Sequence, residues 1–265
     1  MTTKDVITIV LSGLALTVSV VATVYTARRQ RREDERQFRE RITDITSALI
    51  NSTAKVAEMD GTPADQREAD FDYMRGTEVQ RMAALARQAD YLITEERMSL
   101  LTDVDFLTMA QAFTTVGDTA QAALYWKHAC DSAQRPFYRS INKRLYASYL
   151  FGLGNEEEGR AQYESAIGDV AEASPEGDQL YVGIGWIYQD WMLSEARRGF
   201  LGQSAAVKQK AQESYEKIAD QQLRDGWLAH LEQAAQFLKA PAQVPPPAAG
   251  LPPTPRPGGP GIDPP

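Results

Sequence analysis

The chain has 265 residues, with 28 basic and 36 acidic side chains and a formal charge of −8, enough for one sizeable domain or two small ones. Residues 27–41 carry seven Arg against four acids, whereas residues 42–240 carry 19 basic against 30 acidic side chains. An acidic main segment repels phosphate backbones and argues against nucleic acid as a partner, and a single cysteine excludes an intramolecular disulfide.

The first 26 residues read as a short leader and a membrane span. Val6 to Thr26 holds no charged side chain, and as a helix it would be about 31 Å long, the thickness of bilayer hydrocarbon. The run exceeds the usual core of a cleaved signal peptide. Arg28, Arg29, Arg31 and Arg32 follow it at once. This flank predicts a single-pass cell-membrane protein with its amino terminus outside and the rest cytoplasmic, and the lipid bilayer as a partner.

Residues 27–60 read as one helix, free of Pro and Gly up to Met59. Phe38, Ile42, Ile45, Leu49 and Val56 recur in steps of four and three, with Ser52 filling one slot. Two readings are equally supported: a coiled-coil seam for a homo-oligomer, or an amphipathic face that folds back on the main domain. Gly61-Thr62-Pro63 ends the helix. Residues 64–92 have helical spacing from Phe71 to Leu92, interrupted at Gly76, and a short helix is expected from Glu95 to Leu101. Asp103 is expected to cap the helix that follows.

From Asp103 one pattern occurs twice, 37 residues apart. Its first copy has Phe106, Met109, Ala110, Phe113, Gly117-Asp118, Ala122, Trp126 and Ala129, with Met109 matching Tyr146 of the second. Its second has Tyr146, Ala147, Leu150, Gly154-Asn155, Gly159, Tyr163 and Ala166. Small residues let two antiparallel helices approach, and the glycine ends the first helix in the left-handed conformation. A degenerate third copy begins near Asp178, with Tyr181, Gly185 and Tyr188 before Ala211 and Tyr215, and with a longer turn over Ser194–Gln203. A last helix, about Leu223 to Leu238, caps the stack.

On these residues the chain resembles the tetratricopeptide repeat family, well over 103–137 and less closely over 140–220. Lys143 replaces the leading aromatic of the second copy, and Gly159 replaces its usual Ala. The resemblance implies an all-α domain over 64–239, a short solenoid of antiparallel hairpins whose first helices line a groove for a protein or peptide partner. Carried over position by position, it places Gln111, Thr114, Thr115, Arg144, Ser148, Phe151, Trp186, Gln189 and Asp190 in that groove. The alternative for Phe151 and Trp186 is packing between repeats.

Motifs for chemistry are absent from the sequence. There is no phosphate-binding glycine loop and no nucleophile elbow, and His128-x-Cys130 cannot by itself complete a tetrahedral metal shell. Glu156-Glu157-Glu158 opens a helix, where acids favour the dipole. No catalytic residue, cofactor or metal is expected. Eleven of the 14 prolines lie in residues 240–265, a low-complexity segment of polyproline II character in which Pro252-x-x-Pro255 precedes Arg256. The leading expectation is a non-catalytic, membrane-anchored scaffold; the alternative is a structural oligomer joined through the 38–56 seam.

Overall fold

The computed structural model describes the backbone of residues 3–238 and the side chains of residues 23–236 and 238. Its helices are α1 (Thr3–Gly61), α2 (Phe71–Leu92), α3 (Asp103–Val116), α4 (Thr119–Ser132), α5 (Pro136–Leu153), α6 (Glu156–Ala173), α7 (Asp178–Arg197), α8 (Leu201–Glu216) and α9 (Gln221–Phe237), with 3-10 turns at Ala64–Gln66 and Glu95–Leu100. There is no strand among the described residues. The helices pack in successive pairs, α1 with α2, α3 with α4, α5 with α6 and α7 with α8, and α9 lies against α7 and α8. This is the arrangement of a helical repeat solenoid.

The glycine turns set the pairs. Gly117 (φ 80°) and Gly154 (φ 85°) are left-handed, and each is followed by a residue whose N–H reaches back into the helix: Asp118 to the Phe113 carbonyl at 3.0 Å, Asn155 to the Leu150 carbonyl at 2.9 Å. This closure supplies partners for carbonyls that a helix end otherwise leaves open. The third pair ends the same way at Gly199 (φ 84°), with Phe200 N–H on the Glu195 carbonyl at 2.9 Å. The longer turn expected over Ser194–Gln203 is thus absent. α7 continues to Arg197, and only Arg198, Gly199 and Phe200 separate it from α8. The helix-start residue before α3 is Thr102 rather than Asp103: its side chain accepts from Asp105 N–H at 3.2 Å, and Asp105 accepts from Thr102 N–H at 2.9 Å. Gly76 does not interrupt α2, which starts at Phe71.

Two apolar clusters share α5. The first joins α1–α4 to the α5 face that carries Tyr146, Tyr149 and Leu150. The second starts from Ala147 and Phe151 of α5 and continues through α6, α7, α8 and α9. The whole 38–56 stripe belongs to the first: Phe38, Ile42, Ile45, Leu49 and Val56 are buried within this chain, where α1 meets α2 and α3. The polar slot explains the choice. Ser52, 2% exposed, lies beside the buried Glu78 of α2, whose carboxyl is held below its ordinary range first by the Ser52 hydroxyl and then by Lys55. The face expected as a seam between copies is thus covered within the chain itself, as in the alternative reading of an amphipathic helix folded back on the main domain.

Lys55 Nζ is 3.1 Å from Glu78 Oε2. A carboxyl whose folded pKa is lowered contributes stability above its ordinary value and loses it as the pH falls through the lowered one. Lys55→Met is therefore expected to cost up to about 1 kcal/mol at neutral pH, since Lys55 is half exposed. Denaturation curves of both chains should converge as the medium is made acidic. A cost that persists at acid pH would assign it to packing instead.

The expected placement in a membrane is corrected. No helix among the described residues is long and apolar enough to cross a membrane, so the single-pass topology with an external amino terminus is not supported. Past Thr26, α1 runs on through a charged ladder, Arg31–Glu35 at 3.0 Å and Arg36 with Glu33 at 2.7 Å and Glu40 at 3.0 Å. The side chains of 6–22, most of the uncharged stretch, lie outside the described residues, as does the segment 240–265.

Candidate interaction groove

The first helices of the last two pairs, α5 and α7, bring together three of the residues expected in a groove. Arg144 reaches from α5 to α7, where its guanidinium lies 3.9 Å from the centroid of the Trp186 ring and its Nη1 pairs with Asp190 Oδ2. Asp190 is largely buried; burial raises its carboxyl above the ordinary range, and Arg144 opposes that rise. Gln189, 3% exposed, turns toward α9 and α8. Its amide is 3.1 Å from His230 Nδ1, and its oxygen accepts from the Tyr215 hydroxyl at 3.4 Å. The Arg144–Asp190 pair thus bridges α5 and α7, and Gln189 ties α7 to the two helices behind it.

The remaining expected residues separate. Phe151 is core, 1% exposed, packed 6.0 Å from Tyr163. It also accounts for Gly159, since a Cβ there would fall 2.6 Å from the Phe151 ring. Ser148 is half-buried and lies near the Tyr163 hydroxyl. On α3, Thr114 donates to the Ala110 carbonyl at 2.8 Å and accepts from Trp126 Nε1 at 3.1 Å, while Thr115 donates to the Gln111 carbonyl at 3.0 Å. No hydrogen bond or ion pair among the described residues joins Gln111, Thr114 or Thr115 to the α5–α7 set. Lys143, in the aromatic slot of the second copy, pairs with the buried Asp169 at 2.7 Å.

A cavity of about 450 Å³ opens beside Trp186, between the start of α5, the end of α6, α7 and α9. Phe137, Val170, Val182, Trp186, Leu223 and Trp227 give it an apolar lining. Phe137, Trp186 and Leu223 are exposed at 53%, 36% and 41%, which concentrates large apolar side chains on one rim. A second hollow of about 600 Å³ adjoins it along α9, sharing Leu223 and Trp227 and adding Asp220 and His230. Gly183 is there for space, because a Cβ would fall 2.8 Å from a Val170 methyl.

Of this lining, the sequence reading named only Trp186 as a groove residue. Phe137 carried a signal: Pro136-Phe137-Tyr138 opens α5 with two large aromatics ahead of the repeat's apolar positions. Leu223 and Trp227 carried none, since they fit an ordinary capping helix.

The polar clusters elsewhere are bonded within the fold. Glu156 pairs with Arg198 at 2.8 Å, and its carboxyl is lowered first by its place at a helix start and then by Arg198. Cys130 is buried, its thiol pushed up to about 12 chiefly by that burial, and a protonated thiol is a poor nucleophile and ligand. His128 lies against Phe106, with ring centroids 5.2 Å apart. Among the described residues no group of His, Cys, Asp and Glu is placed to hold a metal ion.

Over the described residues, fold and groove define an all-helical array of paired helices with an apolar hollow among its last helices. No protein-family model, curated protein or solved structure matches this chain.

Proposed function

We propose that this chain is a non-catalytic protein-interaction scaffold that holds a peptide or helix of a partner in a tetratricopeptide-like groove formed by α5, α7 and α9. The observation that carries the proposal is the exposed rim of Phe137, Trp186 and Leu223 around an apolar hollow. Large apolar side chains held at a surface lose water contact only when a partner covers them, and grooves of this kind take an amphipathic helix or an extended segment. The family likeness rests on the recurrence of one hairpin, closed by left-handed glycine at 117, 154 and 199.

Selection of a displayed peptide library on the full-length chain tests the proposal. The selected peptides are expected to lose at least tenfold in affinity, about 1.4 kcal/mol, on Leu223→Asp. Folding stability should change by no more than about 0.5 kcal/mol, because Leu223 is exposed. Peptides that bind Leu223→Asp as well as they bind the original chain would remove the groove from the proposal.

A further inference from the structure

We infer that the partner segment this groove takes is an acidic amphipathic helix, which seats a large apolar side chain between Trp186 and Trp227 and offers an Asp or Glu, about eleven residues away on the same face, to Arg197. The inference rests on the interaction-groove reading and gives its partner a chemistry.

The first observation is continuity. The apolar hollow lies between the first halves of α7 and α9, with Val182, Trp186, Leu223 and Trp227 in its wall. A further hollow of about 480 Å³ lies between their second halves, walled by Gln189, Leu193, Arg197, His230, Gln233 and Ala234. The 600 Å³ hollow joins the two, sharing Leu223 and Trp227 with the one and His230 with the other. α7 and α9 thus run side by side in the same sense and leave one groove along their length.

The second is charge. No Arg, Lys, Asp or Glu lines the apolar end, and Arg197 is the one such residue at the far end. Arg197 is exposed, and its guanidinium makes no hydrogen bond or ion pair among the described residues. Asp190 feels its charge but is bonded to Arg144. Asp220, on the joining hollow, is engaged at the start of α9, where it accepts from Leu223 N–H at 2.9 Å. A guanidinium left open beside Leu193 and Ala234 suits a carboxylate, which it holds with two parallel bonds.

The third is period. Trp186 and Arg197 stand eleven positions apart on α7, a rise of about 16 Å and close to three full turns, so they share a face. A helix laid along α7 repeats that spacing and meets both with one of its own faces. Helical walls keep their backbone groups bonded to one another, so an extended segment would find no ladder of partners there. A helix brings its own.

A displayed library of helix-forming peptides, selected on the full-length chain, tests this. The selected peptides are expected to carry a large apolar anchor with an Asp or Glu about eleven residues from it. They should lose at least tenfold in affinity on Arg197→Gln and more on Arg197→Glu. Replacing the peptide's acid by Lys should then restore binding to the Arg197→Glu chain and weaken binding to the original one. A misfolded variant could not be rescued in this way, which separates loss of the contact from loss of the fold. Peptides that require Leu223 but bind both Arg197 variants as they bind the original chain would overturn the acidic partner and leave the groove standing. An acid about five residues from the anchor would overturn the helix, because an extended segment covers the same distance in that number. Peptides indifferent to Leu223→Asp would remove the groove itself.

Discussion

Arg160→Met is expected to cost about 3–5 kcal/mol of folding stability, the usual penalty for stranding one member of a buried ion pair. Arg160 of α6 holds Glu195 of α7 with two bonds, Nε to Oε1 at 2.7 Å and Nη2 to Oε2 at 2.8 Å, and Trp191 Nε1 donates to the same carboxylate at 2.8 Å. The glutamate side chain is 1% exposed and the arginine 31%. Water therefore reaches the cation but not the anion, and losing the cation leaves a charge that nothing solvates. Without Arg160 only the indole N–H remains on the carboxylate. The second change, Glu195→Met in the Arg160→Met background, should return more than half of the loss, because the pair as a whole is close to neutral against an apolar replacement. Urea denaturation of the two single variants and the double variant reads this directly. A single variant that loses less than about 1 kcal/mol would show that water enters at Glu195.

Gly185→Ala is expected to lower stability by about 2 kcal/mol, the upper part of the range for overpacking less the roughly 1 kcal/mol that Ala gains over Gly inside a helix. A Cβ at 185 would fall 2.3 Å from Tyr215 Cε1 and 2.6 Å from Cδ1. That ring cannot retreat freely. Tyr215 is fully buried, stacked 5.4 Å from the Trp227 ring, and its hydroxyl reaches Gln189. The clash therefore passes to the groove wall, and the near-ultraviolet signal of the tryptophans should change with the stability. Gly152→Ala is the control: it sits on the exposed side of α5 with nothing within 4 Å of its Cβ, and it should gain up to about 1 kcal/mol. If Ala is tolerated alike at 185 and 152, the α7–α8 approach is looser than the geometry requires.

The two sites differ in how far the sequence announced them. Gly185 was legible as a small position in a degenerate third copy, and its partner Tyr215 fell in the matching second helix. The Arg160–Glu195 pair was not legible, because an Arg in an acidic helix and a Glu beside Ala-Arg-Arg both look like solvated charges. Burial by the neighbouring pair turns them into a structural lock. The candidate groove shows the same division. Arg144, Trp186 and Asp190 were nameable from their offsets in the repeat, and they meet. Phe151, with an equally good offset, is core, because Gly159 opposite leaves room for its ring.

By itself the sequence determined the helical class, the two hairpins centred on Gly117 and Gly154, and the proline-rich end; the third, at Gly199, came from the structure. These depend on local terms: side-chain period, the φ that only glycine takes cheaply, and a composition unable to form a core. Only the tertiary structure decided what each apolar face covers. It spent the 38–56 stripe on α2 and α3, where a buried Ser52 faces Glu78, and it left Phe137, Trp186 and Leu223 in the open. A stripe's period records that it needs a partner. Which surface meets it depends on shape and polar matching between residues far apart in the chain, which no local pattern carries.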